Sequence, residues 1–209
     1  FSSFFKFRIT EPDGSIFDCN TEAGADGLVL VIQPISSDIG GAGQGIGYDG
    51  IGSSVGVEFD TWCNAGNNDP SSNHIGIISQ GSVDHGAGSP STVNVTHNFD
   101  DGNIWYVWVD YNGSALEVRA NQTGIRPEAP TLSKTIDIPA ILNSHAGAAI
   151  DEAFIGFTSG TGLDWGNHDI ISWEYRDRFN PIPSTGADDS SCVPATFDPA
   201  TGILTIPTV

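Results

Sequence analysis

The sequence predicts an antiparallel all-β domain, built as a sandwich or a barrel. The first observation is composition: 209 residues include 26 glycines, 12 prolines, 11 phenylalanines and 5 tryptophans, with frequent valine and isoleucine and little helical periodicity. The second is a series of short segments in which apolar and polar residues alternate between turn signals. A chain of this length can bury one full core and still carry a tail.

The N-terminal half contains three predicted strands, at 1–10, 28–32 and 55–62. In the first, Phe5, Phe7 and Ile9 share one face, while basic residues occupy the other. The second reads L-V-L-V-I and is apolar at every position, which indicates a central strand. A glycine-rich loop at 40–50 separates the second strand from the third.

The remaining strands are predicted at 104–111, 116–120, 153–158 and 170–175. Asn112 and Gly113 lie between the first two, and this dipeptide favours a hairpin with a type I′ turn. Residues 140–149 favour one or two helical turns, although glycine and asparagine weaken that prediction.

The composition changes after residue 179. Residues 180–195 have the composition of an exposed linker. Residues 196–209 contain two short β-like runs, which resemble the start of β-rich repeat modules in bacterial surface proteins. We therefore expect a domain at 1–179, taken from a larger surface polypeptide, followed by either the next β module or an added edge strand.

Charge and cysteine content restrict the partners and the compartment. A net charge of −19 with only 7 lysines and arginines excludes nucleic acid and anionic membrane surfaces as partners. No apolar run approaches the length of a membrane span, so direct membrane insertion is not expected. Of the three cysteines, Cys19 and Cys63 either form a disulfide, which would suit secretion, or remain free thiols.

The richest chemistry lies in residues 57–74, V-E-F-D-T-W-C-N-A-G-N-N-D-P-S-S-N-H. On a strand, Glu58, Asp60 and Asn64 point to the same face because their positions differ by even numbers. The loop that follows would bring Asp69 and His74 back over that face. So many oxygens without a nearby lysine or arginine would repel one another unless they bound cations. The alternative is a solvated edge strand with a hydrogen-bonded histidine.

This segment resembles the metal loop of the L-type (legume-like) lectins. The resemblance implies a concanavalin-like antiparallel jelly-roll β-sandwich that binds two ions. Ca²⁺ would be held by Asp60, the Trp62 carbonyl, Asn64 and Asp69. A second divalent ion, Mn²⁺ or similar, would be held by Glu58, Asp60, Asp69 and His74.

Two further segments support the resemblance. Residues 156–175, G-F-T-S-G-T-G-L-D-W-G-N-H-D-I-I-S-W-E-Y, match the family's C-terminal pattern without a gap, and 25–27, A-D-G, match its A-D-G-L motif. By that resemblance a glycan would be bound by Asp26, Gly43, Gln44, Gly45, Asn64, Trp165 and Gly166. A backbone N–H from the glycine loop would donate to the sugar, and Trp165 or Tyr48 would face its apolar side. The Ala25–Asp26 peptide is expected to be cis.

Other polar residues are expected to lie outside the site. We expect His85, His97 and His145 to be exposed and uninvolved, and His168 to serve as a structural hydrogen-bonding residue. Asp26 could instead be an ordinary turn residue, and the glycine run a plain loop.

Three functions remain to be distinguished. The leading prediction is a non-catalytic, metal-dependent carbohydrate-binding domain, an adhesive module of a secreted or surface protein. The second is a glycoside hydrolase on the same scaffold, although Cys63 stands where laminarinase-like enzymes carry their second glutamate. The third is a domain that Ca²⁺ only stiffens, which would bind peptide or nothing.

Overall fold

The computed structural model describes residues 1–14, 23–86, 91–145, 147 and 150–184, together with the backbone of 196–198 and 203–205. Within them, two five-stranded antiparallel sheets form the domain. In spatial order, the first sheet contains Trp165–Arg176 (β10), Ser2–Asp13 (β1), Trp105–Tyr111 (β6), Ala115–Asn121 (β7) and Leu132–Thr135 (β8). The second contains Thr92–Asn94 (β5), His74–Ser79 (β4), Val55–Asp60 (β3), Gly27–Gln33 (β2) and Phe154–Gly160 (β9).

The two sheets pack face to face around an aromatic core. Phe5 and Phe7 of β1 are fully buried and contact Phe59 of β3, with ring centroids 5.7 and 5.2 Å apart. Strand alternation places both β1 residues on the inner face, as the sequence predicts. Trp173 is partly buried against the same core. The predicted antiparallel sandwich is confirmed.

A second apolar cluster lies on the outer side of the second sheet. Val29 and Val31 of β2 pack there against Ile46, Tyr48 and other residues of the glycine-rich loop. Both faces of β2 are therefore covered, which explains why residues 28–32 are all apolar. A short 3-10 turn, Gly43–Gly45, lies in this loop.

The predicted hairpin forms, but its turn differs from the prediction. The backbone N–H of Asn112 donates to the Ala115 carbonyl, so Gly113 and Ser114 are the central residues, and only Gly113 has a positive φ, of 99°. The Asn112 Oδ1 atom accepts hydrogen bonds from the backbone of Ser114 and Ala115. The prediction of a type I′ turn centred on Asn112 and Gly113 was wrong. The Asn112 side-chain oxygen accepts hydrogen bonds from residues that follow it, and the turn is centred one residue later.

The other predicted strands and the short helix are present, but β4, β5 and β8 were not predicted, and the strand predicted at 55–62 ends at Asp60. One helix, Ile138–Asn143 (α1), is capped by the Asp137 carboxylate, which accepts from the Ala140 N–H at 3.0 Å. The predicted strand at 170–175 extends toward the N-terminus and begins at Trp165. None of the helices in the described ranges is long and apolar enough to cross a membrane.

Only part of the predicted linker lies in the described residues. There, Ile182 is buried against Phe4 and Trp108, and the Trp108 indole donates to the Pro183 carbonyl at 3.3 Å. Two short strands follow, Thr196–Asp198 (β11) and Ile203–Thr205 (β12), and they pair with each other in a separate two-stranded sheet. The division into domain, linker and following module stays a prediction.

Candidate functional site

Strand β3 buries two carboxylates at one end of the second sheet. Glu58 is 0% exposed and Asp60 is 3% exposed. Glu58 lies opposite Gly76 of β4, and a Cβ atom at position 76 would lie 2.2 Å from Glu58 Oε1. The glycine of the H-I-G-I sequence therefore provides the space that the Glu58 side chain occupies.

The loop after β3 is shaped by hydrogen bonds to two of the predicted ligands. Asp60 Oδ1 accepts from the Trp62 N–H at 2.6 Å, and Asp69 Oδ2 accepts from the Asn64 N–H at 2.6 Å. These bonds fold the chain back, so that ligand atoms of Asp60, Asp69 and His74 lie within 4.8 Å of one another. The structure therefore brings together the carboxylates and the histidine that the sequence places in one site.

His74 is oriented by the loop that precedes it. Its Nδ1 atom lies 2.8 Å from the Ser71 carbonyl oxygen, which can only accept, so Nδ1 carries the proton. The Nε2 atom faces Glu58, whose Oε1 lies 3.3 Å away. This orientation of an imidazole by a backbone carbonyl is the usual arrangement for a metal-binding histidine.

His85 also belongs to this cluster, and the expectation that it is exposed and uninvolved was wrong. Its side chain is 4% exposed, and its Nε2 lies 2.7 Å from Glu58 Oε1 and 3.1 Å from His74 Nε2. Sequence reasoning missed His85 because it lies eleven positions beyond His74, outside the segment that resembles the metal loop. His97 and His145 are exposed, as expected.

Burial controls the ionisation of the acidic groups. It raises the pKa of Asp69 to about 6 and, together with the charges of Glu58 and Asp69, holds the pKa of Asp60 well above its usual value. Burial acts in the same direction on Glu58, but the adjacent His74 and His85 rings outweigh it and keep its pKa below the ordinary value. Charged carboxylates here repel one another unless a proton or a cation lies among them.

Asp26 lies beside this cluster, at the start of β2. The Ala25–Asp26 peptide is cis, as expected. The Asp26 backbone is fixed on both sides, because its N–H donates to the Gly160 carbonyl at 2.9 Å and its carbonyl accepts from Thr61 at 3.2 Å. Its side chain is buried and Oδ2 has no hydrogen-bond partner among the described residues. Burial, reinforced by the charge of Asp164, raises the pKa of Asp26 to about 6.

The glycine loop approaches the same place. A Cβ atom at Gly160 would lie 2.3 Å from the Gly43 carbonyl, so the loop packs directly on the backbone that holds Asp26. Gln44 Oε1 accepts from Asn64 Nδ2 at 3.3 Å, which links the loop to the metal-loop residue. The Gly45 N–H is already committed to the Ala42 carbonyl at 3.2 Å.

The predicted wall residues lie in the other sheet. Trp165 is the first residue of β10, pairs with Asp13 of β1 and is 45% exposed. Gly166 is partly buried, and a Cβ atom there would lie 3.0 Å from Ile9 Cγ2. The neighbouring Asp164 is 3% exposed and is the residue whose charge acts on Asp26, a role that the sequence reasoning missed.

Three further predictions can be compared with the structure. Tyr48 cannot face a sugar, because its ring is fully buried in the outer apolar cluster and its hydroxyl is hydrogen-bonded to Ser54 at 2.8 Å. Cys63 is disulfide-bonded. Its expected partner, Cys19, lies outside the described residues, as does Cys192. His168 has a hydrogen bond at 2.7 Å between its Nδ1 and Ser159 Oγ.

The sandwich fold and the ligand cluster are those expected of an L-type lectin domain, and comparison with known families agrees with this class. The family model described as the legume lectin domain matches residues 1–191, so the chain belongs to the legume lectin domain family. Members of this family bind carbohydrate without catalysis, and the prediction that the domain is not an enzyme is confirmed.

Among curated relatives, the chain is similar to L-type lectin-domain containing receptor kinase VIII.1 of Arabidopsis thaliana, with 31% identity over 193 residues. That match covers 90% of the chain and 25% of the kinase. It is also similar to the bark lectin of Styphnolobium japonicum, with 28% identity, covering 91% of the chain and 66% of that lectin. The chain thus spans about a quarter of the length of the receptor kinases it matches.

Solved structures show the same fold. The basic winged bean lectin with Tn-antigen has a TM-score of 0.61 and 28% identity, covering 82% of this chain and 68% of that one. Lectin UEA-II in complex with galactose has a TM-score of 0.59 and 27% identity, covering 82% and 69%. The predicted jelly-roll sandwich is confirmed.

Proposed function

We propose that the domain binds glycans at a site that bound divalent cations hold in shape. The observation that carries this proposal is the buried cluster of Glu58, Asp60 and Asp69 around His74. Among the described residues, no lysine or arginine forms an ion pair with these carboxylates; their ion-pair partners are His74 and His85. Buried carboxylates without cationic side chains are stabilised by metal ions.

Two cations fit the donor set. Asp60, Asn64, Asp69 and the Trp62 carbonyl provide the oxygen atoms that Ca²⁺ prefers. Glu58, Asp60, Asp69 and His74 combine carboxylates with an imidazole, which suits a first-row transition metal such as Mn²⁺. Asp60 and Asp69 would belong to both sites, so that binding of one ion would order the ligands of the other.

Sugar recognition is assigned to Asp26 and the groups around it. An ionised carboxylate accepts charge-assisted hydrogen bonds from adjacent sugar hydroxyls, and the Asn64 amide donates to a third. Of the glycine-loop residues, Gly43 and Gln44 remain candidates to donate a backbone N–H, since Gly45 uses its own within the loop. Trp165, with Gly166 beside it, offers an exposed ring for an apolar sugar face.

The names of the similar proteins support this proposal. The solved neighbours include lectins in complex with Tn-antigen, with methyl-α-D-galactose and with galactose. We place the domain outside the cell or on its surface, where a glycan-binding module could serve adhesion. The relatives are lectins and lectin-domain receptor kinases, and a disulfide at Cys63 fits an oxidising compartment.

A glycan array probed with and without Ca²⁺ tests the proposal. Binding to defined glycans with Ca²⁺, and its loss in excess EDTA, is the expected result. Asp26→Asn should weaken the signal strongly, whereas Asp151→Asn, at an exposed aspartate, should not change it. Binding to no glycan by the calcium-loaded protein would favour the third alternative, a domain that calcium only stiffens.

A further inference from the structure

His85 occupies a fixed position against the loop that carries the metal ligands. Its backbone N–H donates to the Asn67 carbonyl at 2.9 Å. The preceding Asp84 accepts hydrogen bonds from Asn68 Nδ2 at 2.7 Å and from the Gly86 N–H at 2.8 Å. Residues 84–86 are therefore attached to loop residues 67–68, and the imidazole is directed inward, where it is 4% exposed.

Three potential ligand atoms form a small triangle in this interior. His85 Nε2 lies 2.7 Å from Glu58 Oε1 and 3.1 Å from His74 Nε2, and the third side, from His74 Nε2 to Glu58 Oε1, is 3.3 Å. A first-row ion binds nitrogen and oxygen at roughly 2.1 Å, so adjacent ligands at right angles are separated by roughly 3.0 Å. The observed distances have the size of the edges of one coordination sphere.

The hydrogen-bonding state of these atoms also indicates a shared ion. Both imidazoles lie close to Glu58 Oε1, whereas Oε2 has no hydrogen-bond partner among the described residues, and the side chain is 0% exposed. His74 Nδ1 donates to the Ser71 carbonyl oxygen at 2.8 Å, so Nε2 is the ring atom that faces the cluster. His85 Nδ1 has no partner within the described ranges, so Nε2 is the ring atom that contacts the cluster, at 2.7 Å from Glu58 Oε1 and 3.1 Å from His74 Nε2.

We propose that His85 is a fifth protein ligand of the transition-metal site, through Nε2, beside Glu58, Asp60, Asp69 and His74. A third carboxylate-to-imidazole distance agrees, since Asp69 Oδ1 lies 3.5 Å from His85 Nε2. A second imidazole in place of a water molecule changes the preference of the site, because imidazole suits Zn²⁺ whereas Mn²⁺ favours carboxylate and water. The site should therefore select Zn²⁺ over Mn²⁺.

Solvent can reach this site from the side of His85. A cavity of about 260 Å³ is lined by Asp84, His85, Ser91, Lys134 and neighbouring residues of β4. The Lys134 ammonium group donates to Ser91 Oγ at 2.8 Å.

This inference rests on the proposed metal-dependent function, and the experiment separates the two. Zn²⁺ and Mn²⁺ affinities are measured by calorimetry on the metal-stripped protein, with Ca²⁺ present to occupy its own site. His85→Gln keeps an N–H that can donate to Glu58 but removes the imidazole. His85→Ala removes both, and His97→Ala, at an exposed histidine, is the matched control. Circular dichroism and thermal unfolding establish that each variant is folded.

The expected result is a Zn²⁺ affinity that falls roughly 10–100-fold in His85→Gln and His85→Ala, with little change for Mn²⁺ or for His97→Ala. X-ray absorption of the zinc-loaded protein should show two imidazole ligands in the wild type and one in His85→Gln. Equal Zn²⁺ affinity in wild type and His85→Gln, or one imidazole in the wild type, would overturn the assignment and leave His85 as a hydrogen-bond donor to Glu58. If the wild type binds no divalent ion at all, including Ca²⁺, the proposed function fails instead.

Discussion

Gly76 leaves the space that the Glu58 side chain occupies, so adding one methyl group at position 76 tests directly whether Glu58 is a metal ligand. In Gly76→Ala, the new Cβ would lie 2.2 Å from Glu58 Oε1 and 2.9 Å from its Cδ. Relief to an ordinary contact distance requires the carboxylate to move by about 1 Å, several times the ~0.2 Å tolerance of a metal–ligand bond. The Glu58 side chain is 0% exposed, so it cannot relieve the contact by turning into solvent.

Two magnitudes follow from this geometry. Forcing a methyl group into a packed interior costs about 1–3 kcal/mol of folding free energy, or roughly 3–10 °C in Tm for a domain of this size. Displacing Glu58 should weaken transition-metal binding by at least roughly 10-fold, as is typical when the support of a ligand is lost. Calcium affinity should change less, because Glu58 is not among the proposed calcium ligands.

Gly156→Ala is the matched control in the same sheet. A Cβ there meets no atom within 4 Å, so the substitution should be neutral or stabilise the protein by up to about 1 kcal/mol. Calorimetric titration of both variants with Mn²⁺ and Zn²⁺ provides the comparison, alongside thermal unfolding. If the Gly76→Ala protein binds these ions as tightly as the Gly156→Ala protein does, the reasoning is refuted. Glu58 would then not be a metal ligand whose position depends on the free space at Gly76.

Three further outcomes are expected. Asp26→Asn should weaken glycan binding by roughly 10–100-fold in calorimetry, because it loses charge-assisted hydrogen bonds, while the Ca²⁺ affinity stays within a few-fold; an unchanged glycan affinity would remove Asp26 from the site. Chelation should lower the Tm in calorimetric scans, by an amount equivalent to about 2.7 kcal/mol when free Ca²⁺ had been about 100 times its Kd; an unaltered Tm would contradict structural metal binding. In EDTA, the folded protein retains protons on Asp26 and Asp69, whose pKa values are raised to about 6, at pH values where the unfolded chain has lost them. The metal-free domain should therefore be less stable at about pH 7 than at about pH 5; equal Tm values would contradict the raised pKa values.

Much of the site could be predicted because its ligands are close together in the sequence. Glu58 and Asp60 are two positions apart on one strand, so alternation alone places them on one face. The loop to His74 is short, and its two carboxylates bind the backbone of that same loop. Local geometry thus determines most of the cluster.

The features that sequence reasoning missed depend on contacts between distant segments. His85 reaches Glu58 because residues 84–86 attach to loop residues 67–68, a pairing that no local pattern encodes. Tyr48 is buried because the glycine loop folds over the outer face of β2. The charge of Asp164, just before β10, raises the pKa of Asp26, just before β2, although the two residues are far apart in the sequence. Each of these contacts is set by tertiary packing rather than by periodicity.

One calorimetric series tests the central claim that bound cations create the glycan site. A glycan identified on the array is titrated into the same protein sample in three states: loaded with Ca²⁺ and a transition metal, stripped to an ion content verified by elemental analysis, and reloaded. The expected result is binding in the first state, no measurable binding in the second and full recovery in the third. Equal affinity in the loaded and the stripped protein would contradict the account.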